Sequence, residues 1–395
     1  MTGFENSVKE GAWNPTGSPA IYKLINRLDQ STDELKLIFT DKDEKEKSIQ
    51  YKNDIVLKLK GLSTSITLLA GPQKISAFFG KLRRYISEFR QIFKTFGILF
   101  SYKPDVVYID RSNILIAAMI ARFTRVPVVL RLLGVTPAMQ ELITRPAFSH
   151  YLYRWAYRSH FFHVVCTKDG SPADLWMDRS LSSKSQRVIW LNGVDTKPIV
   201  REESEKIQII ILGRLDPLKR SEQCIDAILA LPERILNKIE VTIIGTGILE
   251  ALLKAKVSNS IFEDCISFLG AVRHDVVNTY LAKGNIYISL NAQGNLSNAN
   301  QEAVKAGLCF ILPEPDVASG IDKDTKQIIP ENAAIYVDQN NLIENVTATL
   351  LSLIDNPDLI AQRQVAMLEA AKQLPSSVER IEREHQLLKT ITPSP

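Results

Sequence analysis

Short runs of Val, Ile and Leu alternate with longer stretches whose apolar residues recur every three or four positions. In the first half, Lys36–Thr40, Asp54–Lys58, Ser65–Leu69, Asp105–Ile109, Val126–Leu132, His163–Cys166 and Val188–Leu191 read as strands. Ser112–Phe123 and Tyr151–Arg158 read as helices between them. Several of these strands are apolar throughout, which suits parallel strands covered on both faces. The second half is more regular: strands at Ile207–Leu212, Glu240–Ile244, Ile266–Leu269, Ile286–Leu290, Leu308–Leu312 and Ala333–Val337. Helices at Ser221–Leu231, Ile248–Lys256, His274–Ala282 and Asn298–Ala306 separate the first five. The pattern predicts an α/β protein of two Rossmann-like, doubly wound domains facing a cleft. The charged stretch Thr196–Lys206, with Pro198, places the boundary between domains 1–196 and 197–375. Ser376-Ser377-Val378-Glu379 has capping-box spacing, so a last helix begins there. Val378, Ile381 and Leu388 are expected on its apolar face, and residues 376–395 are expected to pack back on the first domain.

Composition narrows the function. The chain has 395 residues, 45% hydrophobic and 23% charged, with 48 Lys and Arg against 44 Asp and Glu. A net charge of +4 is too small to predict a nucleic-acid partner. Ile114–Ala121 is a long apolar run, but Arg122 ends it well short of a membrane span. The opening residues lack the apolar core of a signal peptide, so a cytoplasmic protein is expected. Cys166, Cys224, Cys265 and Cys309 lack zinc-type spacing and read as reduced, buried thiols. The five histidines show no ligand spacing. Asp41-Lys42-Asp43 and Asp322-Lys323-Asp324 each spell Asp-x-Asp, but neither follows an apolar strand, and both read as solvated loop acids. No metal and no bound cofactor are therefore expected. Gly245-Thr246-Gly247 begins like a dinucleotide fingerprint, yet Glu250 stands where the third glycine is needed.

Two segments carry candidate chemistry. In Ile209-Ile210-Ile211-Leu212-Gly213-Arg214-Leu215-Asp216-Pro217-Leu218-Lys219-Arg220, a strand ends at Gly213 and cations follow. Cations beyond the carboxyl end of a parallel strand face the ligand crevice, where Arg offers a fork and Lys a point charge for phosphate. The competing reading is an ordinary solvated loop. In the second segment, Gly294 to Gly307, Ser297 or Asn298 caps a short helix ending at Gly307. The free backbone amides and partial positive charge of a helix N-terminus suit a phosphate. Glu302 lies one turn inside, placed to accept ribose hydroxyls or, on the plainer reading, to be an exposed helix acid.

Together these segments resemble the family-4 glycosyltransferases, retaining enzymes of the GT-B fold. Gly213, Arg214, Leu215, Pro217 and Lys219 match that family's G-R-L-x-P-x-K, and Glu302, Ala303 and Gly307 match the latter half of its paired-acid motif. Asn192-Gly193-Val194-Asp195, Ile244-Gly245-Thr246-Gly247, Phe268-Leu269-Gly270-Ala271-Val272 and Lys103-Pro104-Asp105-Val106-Val107 match further family segments. There are departures. The first acid of the pair falls at Gly294, the usual His–Gly reads Leu133-Gly134, and residues 1–13 hold no apolar first strand before Thr16-Gly17-Ser18.

The resemblance implies a nucleotide-diphosphate sugar lying across the second domain, with no cofactor beyond this substrate. Arg214, Lys219 and Glu302 would form the catalytic set. Gly213, Gly245, Arg273, Ser297, Asn298 and Ala299 would bind the donor, and Gly17 and Ser18 would form the acceptor-side loop. The acceptor would be a glycan or lipid-linked hydroxyl. Residues 81–96 form a basic amphipathic stretch suited to peripheral contact with an anionic inner membrane face. An ordinary domain helix packed on the sheet is the alternative for that stretch. Gly294 and Leu133 favour a second reading of the whole chain, as a catalytically impaired nucleotide-sugar-binding partner subunit.

Overall fold

The computed structural model describes residues 4–15, 19–31, 34–42, 53–71, 80–145, 147–195 and 204–391. The first half contains α1 (Phe4–Glu10), α2 (Pro19–Asp29), β1 (Leu37–Thr40), β2 (Ile55–Leu57), β3 (Ile66–Leu69) and α3 (Gly80–Tyr102). It continues through β4 (Val107–Asp110), α4 (Ile114–Phe123), β5 (Val128–Leu132), α5 (Pro137–Thr144), α6 (Phe148–Tyr157), β6 (His163–Thr167), α7 (Ala173–Ser180) and β7 (Gln186–Trp190). β4, β5, β6 and β7 form one parallel sheet in chain order. β1, β3 and β2 form a separate small sheet, in which the three-residue β2 runs antiparallel rather than parallel. The polar opening residues form α1 instead of a strand, with Phe4 packed edge-on against Phe39.

The second half contains β8 (Ile207–Leu212), α8 (Ser221–Leu229), β9 (Ile239–Ile244), α9 (Glu250–Ser258), β10 (Ile266–Gly270), α10 (His274–Lys283) and β11 (Ile286–Ile288). α11 (Asn298–Lys305), β12 (Cys309–Pro313), α12 (Thr325–Ile328), β13 (Ala334–Val337), α13 (Leu342–Asp355), α14 (Pro357–Ala371) and α15 (Ser377–Ile391) follow. Its six parallel strands run β10-β9-β8-β11-β12-β13. The strand order reverses between β8 and β11, so the loops leaving their carboxyl ends border the switch-point crevice, where doubly wound sheets bind ligands. Alternate strand residues feed two cores, Ile209 and Ile211 on one face and Ile210 on the other.

α15 opens with a reciprocal capping box. The Ser376 amide donates to Glu379 Oε2 at 2.7 Å, and the Glu379 amide donates to Ser376 Oγ at 3.1 Å. The helix lies on α2 through Ile381, Leu388 and Leu24. Val378 is 72% exposed and lies off that buried face. The buried positions include Arg380, Glu384 and His385, so the face is more polar than its apolar spacing implied.

Candidate functional site

The two chemistry-bearing loops meet at the switch point. The Ala292 amide donates to Leu218 O at 2.9 Å, joining the loop after β11 to the loop after β8. Backbone bonds also stitch the turn after β8 to the turn after β9: Leu215 N to Thr246 O at 3.0 Å and Leu249 N to Leu215 O at 3.1 Å. This stitching explains Gly245. A Cβ there would stand 1.9 Å from Gly213 O, so the glycine serves a close approach of two backbones. The space over Gly213 itself is open.

Arg214 is exposed and pairs with Asp216 Oδ2 at 3.2 Å. Asp216 also caps the turn 217–219, its Oδ1 accepting from the Lys219 amide at 2.9 Å. Lys219 lies deeper. Burial and the neighbouring Arg214 hold its pKa below the ordinary lysine value, while Asp216, Asp169 and Asp322 act in the opposite direction. Burial raises the pKa of both Asp169 and Asp322. Lys219 therefore sits among acids from both halves of the chain, and an anion reaching it enters a field those acids already shape.

At the start of α11, Ser297 Oγ accepts from the Asn300 amide at 3.4 Å. Ser297, Asn298 and Ala299 are half-buried, at the mouth of the helix. Glu302 is only 5% exposed, so it is a buried acid rather than a surface one. Arg273 is the cap residue just before α10 and is exposed. Gly17 and Ser18 lie outside the described residues. Among the described residues no cluster of His, Cys, Asp and Glu has the makings of a metal site.

Gly294 is where the two halves press together. A Cβ on it would lie 2.3 Å from the Gly170 carbonyl carbon and 2.6 Å from Asp169 O, and its φ is +133°. Around it Leu296 N donates to Asp169 O at 3.0 Å, and Asp322 N donates to Gly170 O at 2.8 Å. Asp322 is buried, not solvated. Its carboxylate accepts from the Asn295 amide and side chain, both at 2.7 Å, and from Thr325 Oγ1 at 2.7 Å. Lys168–Asp324 at 3.0 Å and Lys323–Asp174 add ion pairs across the same contact. Gln140 Nε2 donates to Gln293 Oε1 at 3.2 Å.

A second polar path was not visible in the motifs. Arg131, fully buried in β5, donates to Thr167 Oγ1 at 3.0 Å and Asn192 Oδ1 at 3.2 Å. Asn192 Nδ2 in turn donates to Asn298 Oδ1 at 2.9 Å, which fixes the first residue of α11. Behind Arg131 lies Glu384, 3.6 Å from its Nε, which also pairs with Arg380 at 2.7 Å and accepts from the Tyr108 hydroxyl at 2.6 Å. Burial, then Glu384, push the Tyr108 pKa far up, so it stays a donor. Arg380 and Arg383 both stack on Trp190.

Residues 195–374 match the family model for glycosyl transferases group 1. No curated protein matches the chain. Among solved structures, it resembles sucrose-phosphate synthase from Thermosynechococcus elongatus at 12% identity and a TM-score of 0.72, over 95% of this chain and 94% of that one. It also resembles HepE from Anabaena, solved with UDP and glucose, at 14% identity and a TM-score of 0.60, over 82% and 86%. WaaG, a glycosyltransferase involved in lipopolysaccharide biosynthesis, aligns at 13% identity and a TM-score of 0.57, over 82% and 86%. At these identities the likeness is one of fold. Residues 195–374 thus match a group 1 glycosyltransferase domain, and the whole chain has the two-domain GT-B fold.

Proposed function

We propose that this glycosyltransferase moves a sugar from a nucleotide-diphosphate sugar to a hydroxyl acceptor with retention of configuration. The observation that carries the reading is the junction of the Gly213–Lys219 loop with the loop leading to α11, through Ala292 and Leu218. It brings the loop that carries Arg214 and Lys219 against the loop that leads into α11. The departing diphosphate would be neutralised by Arg214 and Lys219 and by amides at Asn298 and Ala299. Glu302 would hold the ribose, and the segment at Arg273 would lie against the base. Attack from the same face as the leaving phosphate requires no carboxylate nucleophile, and the two cations take the place of a metal. HepE, solved with UDP and glucose, supports a nucleotide-sugar donor.

For the acceptor we propose a glycan or lipid-linked intermediate at the cytoplasmic membrane face. α3 supports this. Ile86, Phe89, Phe93 and Phe100 are exposed, Phe93 by 75%, whereas Gln91, Ile92, Thr95 and Leu99 face inward. Arg90 and Lys94 pair with Asp54, so the apolar side chains would supply most of the attraction. No helix among the described residues is long and apolar enough to cross a membrane. WaaG acts in lipopolysaccharide biosynthesis, in keeping with an envelope acceptor.

Gly294 favours a second reading. The position that carries the family's first acid has no room for any side chain, which suits a partner subunit that binds the donor without transferring the sugar. The test is release of nucleoside diphosphate from UDP-, GDP-, ADP- and TDP-sugars, with and without lipid-linked acceptors. Acceptor-dependent release supports transfer. Donor binding without release under any acceptor supports the partner subunit.

A further inference from the structure

Two strand edges in the first half face one another without pairing. Among the described residues β1 is hydrogen-bonded to β3 alone and β4 to β5 alone, and a cavity of about 720 Å³ separates them. On one side it is closed by Leu24 of α2 and Leu388 of α15, on the other by Leu99 of α3 and Ile120 of α4. Both ends are pinned. Thr40 Oγ1, at the end of β1, donates to Asn113 Oδ1 just past β4 at 2.8 Å, and the Tyr102 hydroxyl donates to Glu34 O at 2.9 Å before both strands. The pins show that β1 and β4 run the same way. β5 and β6 are buried at every position, whereas every residue of β4, the edge strand of its sheet, is only half-buried.

Backbone N–H and C=O groups along such edges call for partners. An acyl chain or an apolar small molecule fills the volume and leaves those groups unmet. An extended peptide meets both edges at once. Its length fits: the cavity is lined by every residue of β1 and of β4, four residues each. At the mouth where the strands begin, Lys36, Lys103 and Lys389 outnumber Glu34 and Asp105, which favours an acidic flank on the entering segment.

We propose that an extended apolar segment of a second polypeptide adds here as a strand parallel to β1 and β4. The two sheets then become one, in the order β2-β3-β1-added-β4-β5-β6-β7. The proposal is independent of the donor-site reading. The test is hydrogen exchange of the full chain with a synthetic peptide of five alternating valines and isoleucines preceded by two aspartates. The control peptide replaces the apolar residues with serine. The expected result is exchange slowed about tenfold or more at the amides of both Leu37–Thr40 and Val107–Asp110, with the apolar peptide only. No slowing at millimolar peptide, slowing at one strand alone, or slowing confined to the exposed face of α3 would overturn it.

Discussion

The two halves of this protein are built from similar apolar runs and come out differently. The second half closes its six parallel strands into one continuous sheet. The first half divides between β1 and β4 and leaves an apolar cavity there. The second half therefore has a continuous frame, with its loops held by backbone bonds at 2.9 to 3.1 Å. The first half is braced instead by long-range side-chain contacts, chiefly Arg131 and Tyr108 on Glu384 of α15. Regular strand pairing fixes one half, and a few buried polar groups fix the other. Losing a single side chain should therefore harm the two halves by different routes.

The largest expected effect is at Glu384. Glu384→Ala leaves Arg131 and Arg380 buried without their shared carboxylate, and chemical unfolding should show a loss of about 3–5 kcal/mol. Loss of less than about 1 kcal/mol would mean that packing alone braces the first half. In the second half, Arg214→Ala should fold normally and lower turnover by about 10²–10³. Near-normal turnover would remove Arg214 from the diphosphate site. Gly294→Ala comes next. The added Cβ must part Gly294 from Gly170, and the φ of +133° disfavours it further, so about 1–3 kcal/mol of stability should go. Gly294→Glu should therefore not raise turnover, and a gain would show that the halves separate readily at this contact.

The smallest effect concerns pH. Burial acts to raise the pKa of Asp195, but the Lys23 and Ser377 hydrogen bonds prevail and bring it down from 3.8 to about 2. Because the folded value is below the unfolded one, this contribution is complete above the unfolded pKa. It is lost as pH falls from about 4 towards 2. Asp195→Asn should flatten the stability profile in that window and leave it unchanged near neutrality relative to its own plateau. An unaltered slope would show that Asp195 does not tie α2 to α15.

Much of this arrangement was legible because parallel strands buried on both faces must be continuously apolar. Ile207–Leu212 could be read as a strand from its residues alone, and the alternation that follows it gave the doubly wound half. The direction of β2 could not, since three residues carry no signal of which neighbour they pair with. α1 was missed for a related reason: with only Phe4 and Val8 apolar, seven residues show too little periodicity to register. Asp322 was misread as solvated because its partner Asn295 lies 27 residues away and only the fold joins them. The burial of Glu302 follows likewise from packing of α11 that local sequence does not encode. One signal was present and unused: Arg131, a lone cation inside Val128-Val129-Leu130-Arg131-Leu132, needs a buried acid, and Glu384 supplies it.

The most direct test of the donor-site account is calorimetric titration of UDP, GDP, ADP and TDP into the intact protein and its Lys219→Ala variant. The account predicts that one of these diphosphates binds the intact protein and that the variant binds it at least about tenfold more weakly, the loss of one charge-assisted contact. Equal affinity in the two proteins, or no binding of any of the four, would contradict it.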